Sequence, residues 1–297
     1  MKTINFLILI INLAVFCFHP NSSYSQTGQD SIYVDENKLV VVKKHNGVTY
    51  VGKILSQDAR EVLIETIDLG QVVIPKHEIE EIKDIEPGEL SSSMEYIGRE
   101  VFATRYFIST NGLPIEKGDS YVQWNVFGPD IQIGVAKNFG IGIMTSWLGI
   151  PIIGSAKYSI PLSDNLNLGV GTLLGTGSWA SPDFGIALPF AALTYGNRTR
   201  NLTFSGGYGA VFNDYASSER ALFSVAGMAK VSKKISLVFD SFIMPPDGNS
   251  SGFALLIPGL RLQTESDKAF QFGFAAIVIE GEAFPLPIPM VQWYRML

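Results

Sequence analysis

Of the 297 residues, 46% are hydrophobic and only 17% charged, with 29 Gly, 19 Phe, 11 Tyr and 4 Trp. An ordinary soluble domain is roughly 25% charged, so this composition argues against a chain that faces water throughout. The single cysteine, Cys17, lies in the leader described next, so disulfides and cysteine-based metal sites are excluded from the rest of the chain.

The first residues read as a secretory signal over 1–25. Lys2 supplies the positive start, Phe6 to Phe18 the apolar stretch, and Ser23-Tyr24-Ser25 a small-x-small cleavage site ahead of Gln26. The alternative is a retained anchor helix, but the stretch falls short of the ~20 residues that cross a bilayer. Lipidation at Cys17 is disfavoured because Phe16 occupies the position where that signal needs a small residue.

Residues 31–86 read as a small, water-facing β module. Between Ser31 and Gly98 there are seven Lys/Arg against thirteen Asp/Glu, whereas from Arg99 to Leu297 there are fourteen of each. Strands are expected at 39–42, 49–56, 62–67, 71–74 and 78–82, separated by turns such as His45-Asn46-Gly47 and Asp68-Leu69-Gly70. The pattern Gly47, Tyr50, Gly52, Ile54, then Ile74, Pro75, Ile79 resembles five-stranded SH3-like or Sm-like barrels. Some Sm-like barrels bind RNA. The acidic balance argues against nucleic acid here, because phosphate binding needs clustered Lys and Arg. Lys43-Lys44 is only a pair, read as a solvated strand end. Docking to a periplasmic protein or plugging fits the acidic module better. Residues 87–98, containing Pro87-Gly88 and Ser91-Ser92-Ser93, read as a linker.

From 99 to 297 the chain reads as a transmembrane barrel. Segments of about ten residues alternate apolar with small or polar side chains, and every second connection is a short charged turn, the sequence signature of a membrane-spanning barrel. Strands are expected at 120–127, 130–137, 139–148, 151–160, 165–175, 183–196, 201–213, 220–231, 234–245, 252–263, 268–279 and 286–296. That makes about twelve, with ten or fourteen as alternatives. The uncharged run Phe139 to Ala156 looks like a membrane helix by hydropathy. Its glycines, Pro151 and alternating Ile141 and Ile143 read instead as two strands around Leu148-Gly149-Ile150. Ala103 to Gly118 is either a short first strand or a segment packed into the lumen. Phe139, Tyr158, Tyr195, Phe204, Phe270 and Tyr294 lie near the charged turns, as an interfacial aromatic girdle would. An even strand count puts the module and the C-terminus at the short-turn end, which is expected to be periplasmic.

The fold class is therefore all-β: an antiparallel transmembrane barrel preceded by a small five-stranded module. The Ser-Tyr-Ser-Gln leader end, Thr110 to Gly118 before the first strand, and the turns Ala136-Lys137-Asn138-Phe139 and Pro161 to Asn165 resemble outer-membrane β-barrel proteins of Bacteroidota. The resemblance implies outer-membrane lipid and the barrel assembly machinery as partners, and carries no reaction. One departure is the last residue, Leu297, where such barrels usually end in an aromatic.

Candidate sites are few. Barrel enzymes of the outer membrane resemble one another in using a histidine base. The three histidines here are His19, His45 and His77, none within the barrel. Catalysis and cofactors are therefore not expected. His77, Glu78, Glu80 and Glu81 read as a solvated edge strand, with His77 and Glu81 on one face, and not as a metal site. Lys157, Lys230 and Arg261 have lumen-facing parity and Asp240 lies near a strand centre. They form either a basic ring that favours anions or groups paired inside the lumen. The leading expectation is a non-enzymatic, porin-like barrel that admits or binds a small solute. The alternative is a barrel that anchors a partner-binding module.

Overall fold

The computed structural model describes residues 38–66, 68–85, 88–91, 94–177, 184–213, 217–247, 251–279, 282–283 and 287–297. The expected signal lies outside these residues.

The module is a five-stranded antiparallel sheet. Its strands are β1 (Leu39–Lys44), β2 (Thr49–Gln57), β3 (Glu61–Thr66), β4 (Gly70–Pro75) and β5 (Ile79–Asp84), in the order β4-β3-β2-β1-β5. Gly47 turns β1 into β2 at φ +82°, a left-handed conformation that suits glycine. Alternate residues supply the core: Val40, Val42, Ile64 and Ile74 are buried, with Tyr50, Ile54, Val72 and Ile79 packed against them. One expectation needs correction. Lys76–Glu78 is a single 3-10 turn and β5 begins only at Ile79, so His77 and Glu81 do not share a strand face. Pro75 sits at φ −63° and the Ile79 N–H bonds the Lys76 carbonyl, which closes the turn before the strand can start. Lys43 and Lys44 are engaged by Glu80 and Glu78.

Twelve antiparallel strands form the barrel. They are β6 (Tyr121–Asn125), β7 (Pro129–Ala136), β8 (Phe139–Thr145), β9 (Ile152–Ser163), β10 (Leu166–Thr176), β11 (Phe184–Gly196), β12 (Arg200–Asn213), β13 (Ser217–Lys230), β14 (Ile235–Met244), β15 (Phe253–Glu265), β16 (Lys268–Ile279) and, after a two-residue hairpin partner β17 (Glu282–Ala283), β18 (Ile288–Met296). Each pairs with the next, and β18 pairs with both β16 and β6, so the sheet closes. Closure leaves the barrel without an edge strand to template aggregation.

Alternation sets the two faces. On β12, Leu202, Phe204 and Tyr208 are exposed while Asn201 and Thr203 are buried; on β16, Phe272 and Phe274 face out and Gln271, Gly273 and Ala275 face in. Ile133, Ile141, Val170, Leu193, Phe239 and Leu260 extend the exposed apolar wall around the barrel. A soluble barrel would turn that face inward; one in lipid turns it outward. Tyr158, Tyr195 and Phe204 are exposed near the short turns. Tyr294, however, is 2% exposed and points into the lumen, and its neighbour Trp293 takes the outward position. Strand parity on β18 decides this, because Tyr294 shares the inward face with Gln292 and Met290.

The barrel's core is a piece of its own chain. Ala103, Tyr106, Phe107 and Leu113 cluster with Ala226, Met228, Val238, Ile257, Ala275 and Met290 of the wall. Phe102 packs against Tyr121, Ala269 and Tyr294. Burying an aromatic or branched side chain contributes about 1.5–3 kcal/mol, so these side chains bind the segment firmly before any polar contact is counted.

Candidate functional site: the plugged lumen

Residues 99–119 enter the barrel at the short-turn end, reverse near Phe107 to Thr110, and return to the same end. The Glu100 N–H bonds the Arg198 carbonyl on the way in, and Arg198 donates to the Pro114 carbonyl and pairs with Asp119 on the way out. The reversal is held by the Tyr106 N–H on the Ser109 carbonyl (3.1 Å) and by Thr110 Oγ1 donating to the Thr104 carbonyl (3.0 Å). Such a segment is neither helix nor strand, so its main-chain polar groups need outside partners. The lumen face of the barrel supplies them.

The four residues singled out by parity all lie in the lumen, and each grips a different stretch of this plug. Lys157 on β9 donates to the carbonyls of Asn111 (2.9 Å) and Leu113 (3.1 Å) and to Thr110 Oγ1 (3.3 Å). Lys230 on β13 donates to the Arg99 carbonyl (3.1 Å) and to Gln263 Oε1 (3.0 Å). Asp240 on β14 accepts from the N–H groups of Ile108 (2.6 Å) and Ser109 (2.9 Å) and from Ser109 Oγ (2.6 Å). Arg261 on β15 donates to the carbonyls of Phe102 (2.7 Å) and Arg105 (2.6 Å) and to Gln271 Oε1 (2.7 Å), with Glu100 at 3.7 Å. Among the described residues, no hydrogen bond or ion pair joins any two of these four. They are clamps on a peptide segment. Burial of such charges is tolerable because main-chain dipoles and carboxylates surround them.

Other clamps lie on the same wall. Tyr106 Oη meets Asn201 Oδ1 (2.5 Å) and Thr203 Oγ1 (2.7 Å), and Thr194 Oγ1 accepts the Gly112 N–H (2.7 Å). Gln271 and Tyr294 both donate to the Tyr106 carbonyl, and Gln292 donates to that of Phe107. Arg105 pairs with Asp130 at 2.5 Å, and Glu100 accepts from Ser236 Oγ at 2.5 Å. Lumen parity would have found the wall residues of this set. Glu100, Arg105 and Tyr106 lie in a stretch with no periodicity, and no sequence signal marks them.

Glycine makes the close approach possible. A Cβ on Gly112 would lie 2.5 Å from the Asn167 carbonyl oxygen and 2.8 Å from that of Ala192. The Phe107 ring rests on the cross-strand pair Gly259 and Gly273, where added Cβ atoms would stand 2.5 and 2.6 Å from its Cζ. Among the described residues no group of three or more His, Cys, Asp or Glu gathers, and His45 and His77 lie in the module.

No family model matches this chain, and no curated protein does. Among solved structures it is similar to the NanC porin (9% identity, 60% of this chain and 98% of that one, TM-score 0.43) and to the KdgM porin (10%, 60% and 97%, TM-score 0.42). A loop L8 deletion mutant of OmpT, an outer membrane protein of Vibrio cholerae, is similar over 87% of this chain and 96% of its own at 9% identity, TM-score 0.36.

Proposed function

We propose that this protein is a non-enzymatic outer-membrane barrel that binds or admits a small solute, with its lumen closed by its own segment 99–119. The observation that carries this reading is the plug itself. Nine wall strands, β7, β9, β11, β12, β13, β14, β15, β16 and β18, bond to it. A barrel filled in this way is not a freely open pore. The apolar exterior supports a place in lipid. The short charged turns support a periplasmic face for the end where the module and the plug enter. The strand order β4-β3-β2-β1-β5 with a 3-10 turn before β5 supports the SH3-like reading of the module.

Conductance in planar bilayers tests the proposal. The full chain should be nearly silent, and a chain lacking 101–117 should conduct. A full chain that conducts as freely as the deletion would overturn the closed-lumen reading, as would a folded deletion that stays silent.

A second reading makes the barrel an anchor for the acidic module, which would bind a periplasmic protein. It draws support from Glu89, which is fully buried and tied to Lys83 at the module's exit, fixing the module to the segment that enters the barrel. Capture of a basic periplasmic protein by the full chain, lost when Glu80 and Glu81 are changed to Lys, would favour it. No capture, alongside conductance that depends on the plug, would sink it.

A further inference from the structure

Above the plug, in the half of the barrel away from the short turns, lies a cavity of 170 Å³. Leu173, Leu188, Leu222 and Phe242 give it an apolar wall, and Arg105 and Ile108 of the plug reversal contribute to its floor. An apolar cavity of about 150 Å³ is enough to hold benzene.

Two residues that border this cavity each carry a buried polar atom without a hydrogen-bond partner among the described residues. Among the described residues, the Arg105 guanidinium is bonded through Nη2 to Asp130, while its Nε is buried and unpaired. Ser224 is 6% exposed and its Oγ has no hydrogen-bond partner. A local break in the wall accompanies them. The β13–β14 ladder is interrupted between Phe223↔Ile243 and Gly227↔Phe239, where Ser241 Oγ takes over the N–H and carbonyl of Val225 (2.8 and 2.7 Å). Buried donors left unpaired are costly, and they persist where something else can satisfy them.

We propose that this cavity binds a small amphiphilic monocarboxylate, its apolar body against Leu173, Leu188, Leu222 and Phe242 and its carboxylate received by Arg105 and Ser224. This rests on the solute-binding reading above and names the class of solute. Arginine suits the head because its planar fork presents two donors to a carboxylate. One edge of that fork is already held by Asp130, which fixes the guanidinium without using all of its donors.

The test is equilibrium binding of labelled hexanoate to the full chain in phosphatidylcholine nanodiscs, against empty nanodiscs and against hexanol as the neutral twin. Hexanoate should bind saturably, one per chain, at least tenfold more tightly than hexanol. Ser205→Phe, which fills the cavity from the lumen face of β12, should abolish saturable binding, and Arg105→Gln should erase the preference over hexanol. Equal affinity for hexanol, or saturable binding untouched by Ser205→Phe, would overturn the proposal. So would the absence of a saturable component with the unaltered chain, a result that needs no variant to fold. Silence here, with conductance that appears on plug deletion, would refute this site alone; silence in both would refute the closed-lumen reading too.

Discussion

Arg261→Ala removes the wall's firmest hold on the incoming half of the plug. Its guanidinium donates to two plug carbonyls, those of Phe102 and Arg105, and to Gln271 Oε1, each within 2.7 Å. It also lies 3.7 Å from Glu100 and 4.8 Å over the Tyr294 ring, with no exposure of its own. Alanine leaves three buried acceptors without their donor and takes the neighbouring guanidinium from the buried Glu100 carboxylate, which keeps the bond from Ser236 Oγ. Removing one partner of a buried charge pair costs about 3–5 kcal/mol. At about 1.4 kcal/mol per tenfold change, the balance between seated and released plug should move by two to three and a half orders of magnitude.

The wall itself should hold, because the backbone of residue 261 stays paired with Ser236 on β14 and Gln271 on β15's other neighbour, β16. Hydrogen–deuterium exchange in nanodiscs separates the two effects. The described amides of 102–113 should exchange faster by about that factor while β15 and β16 keep their protection. Unchanged protection of the plug would refute the claim that Arg261 clamps it. Loss of protection throughout the barrel would refute the claim that plug and wall are separable. Arg261→Lys should recover only part of the hold, since an ammonium keeps the charge and loses the fork.

Three further outcomes follow from the same geometry. Gly112→Val should unseat the returning half of the plug, because its Cβ meets the carbonyl oxygens of Asn167 and Ala192, which belong to the wall and cannot swing aside; exchange at Leu113 and single-channel current should both rise, and a silent, protected variant would count against close backbone packing. Val170→Arg, on the outward face of β10, should lower barrel stability in liposomes by about 2–4 kcal/mol if that strand centre lies at the bilayer midplane, whereas an effect below about 0.5 kcal/mol would speak against a lipid-facing wall. In the module, the N–H groups of Arg60 and then Glu61 hold the Asp58 carboxyl below its ordinary value of 3.8. A carboxyl depressed in the folded state adds stability above its unfolded pKa and loses it as pH falls through the folded value. Asp58→Asn should therefore remove part of the acid sensitivity of the β2–β3 turn below about pH 4, read by NMR of those amides; a turn equally acid-sensitive in the variant would refute the assignment.

Strand placement was legible because membrane barrels write a period of two into every segment, and every barrel strand fell within a few residues of its expected span. Leu202, Phe204 and Tyr208 against Thr203 show how it works: side-chain direction follows from backbone pleat alone, so neighbours in the chain settle it. The 3-10 turn at Lys76–Glu78 was missed because one turn leaves no periodic trace. Tyr294 was placed in the girdle by its closeness to the end of the chain, where the parity of Gln292 and Met290 would have turned it inward.

Alternation along the sequence thus determined the strands, their inward and outward faces, and the lumen parity of Lys157, Lys230, Asp240 and Arg261. Only the tertiary structure decided what those four residues hold. The bond from Arg261 to the Phe102 carbonyl spans 159 residues, and that from Tyr294 to the Tyr106 carbonyl spans 188. The acceptors are main-chain carbonyls, which every residue carries alike, so nothing in the side-chain sequence of the plug could announce which of them the wall would bind.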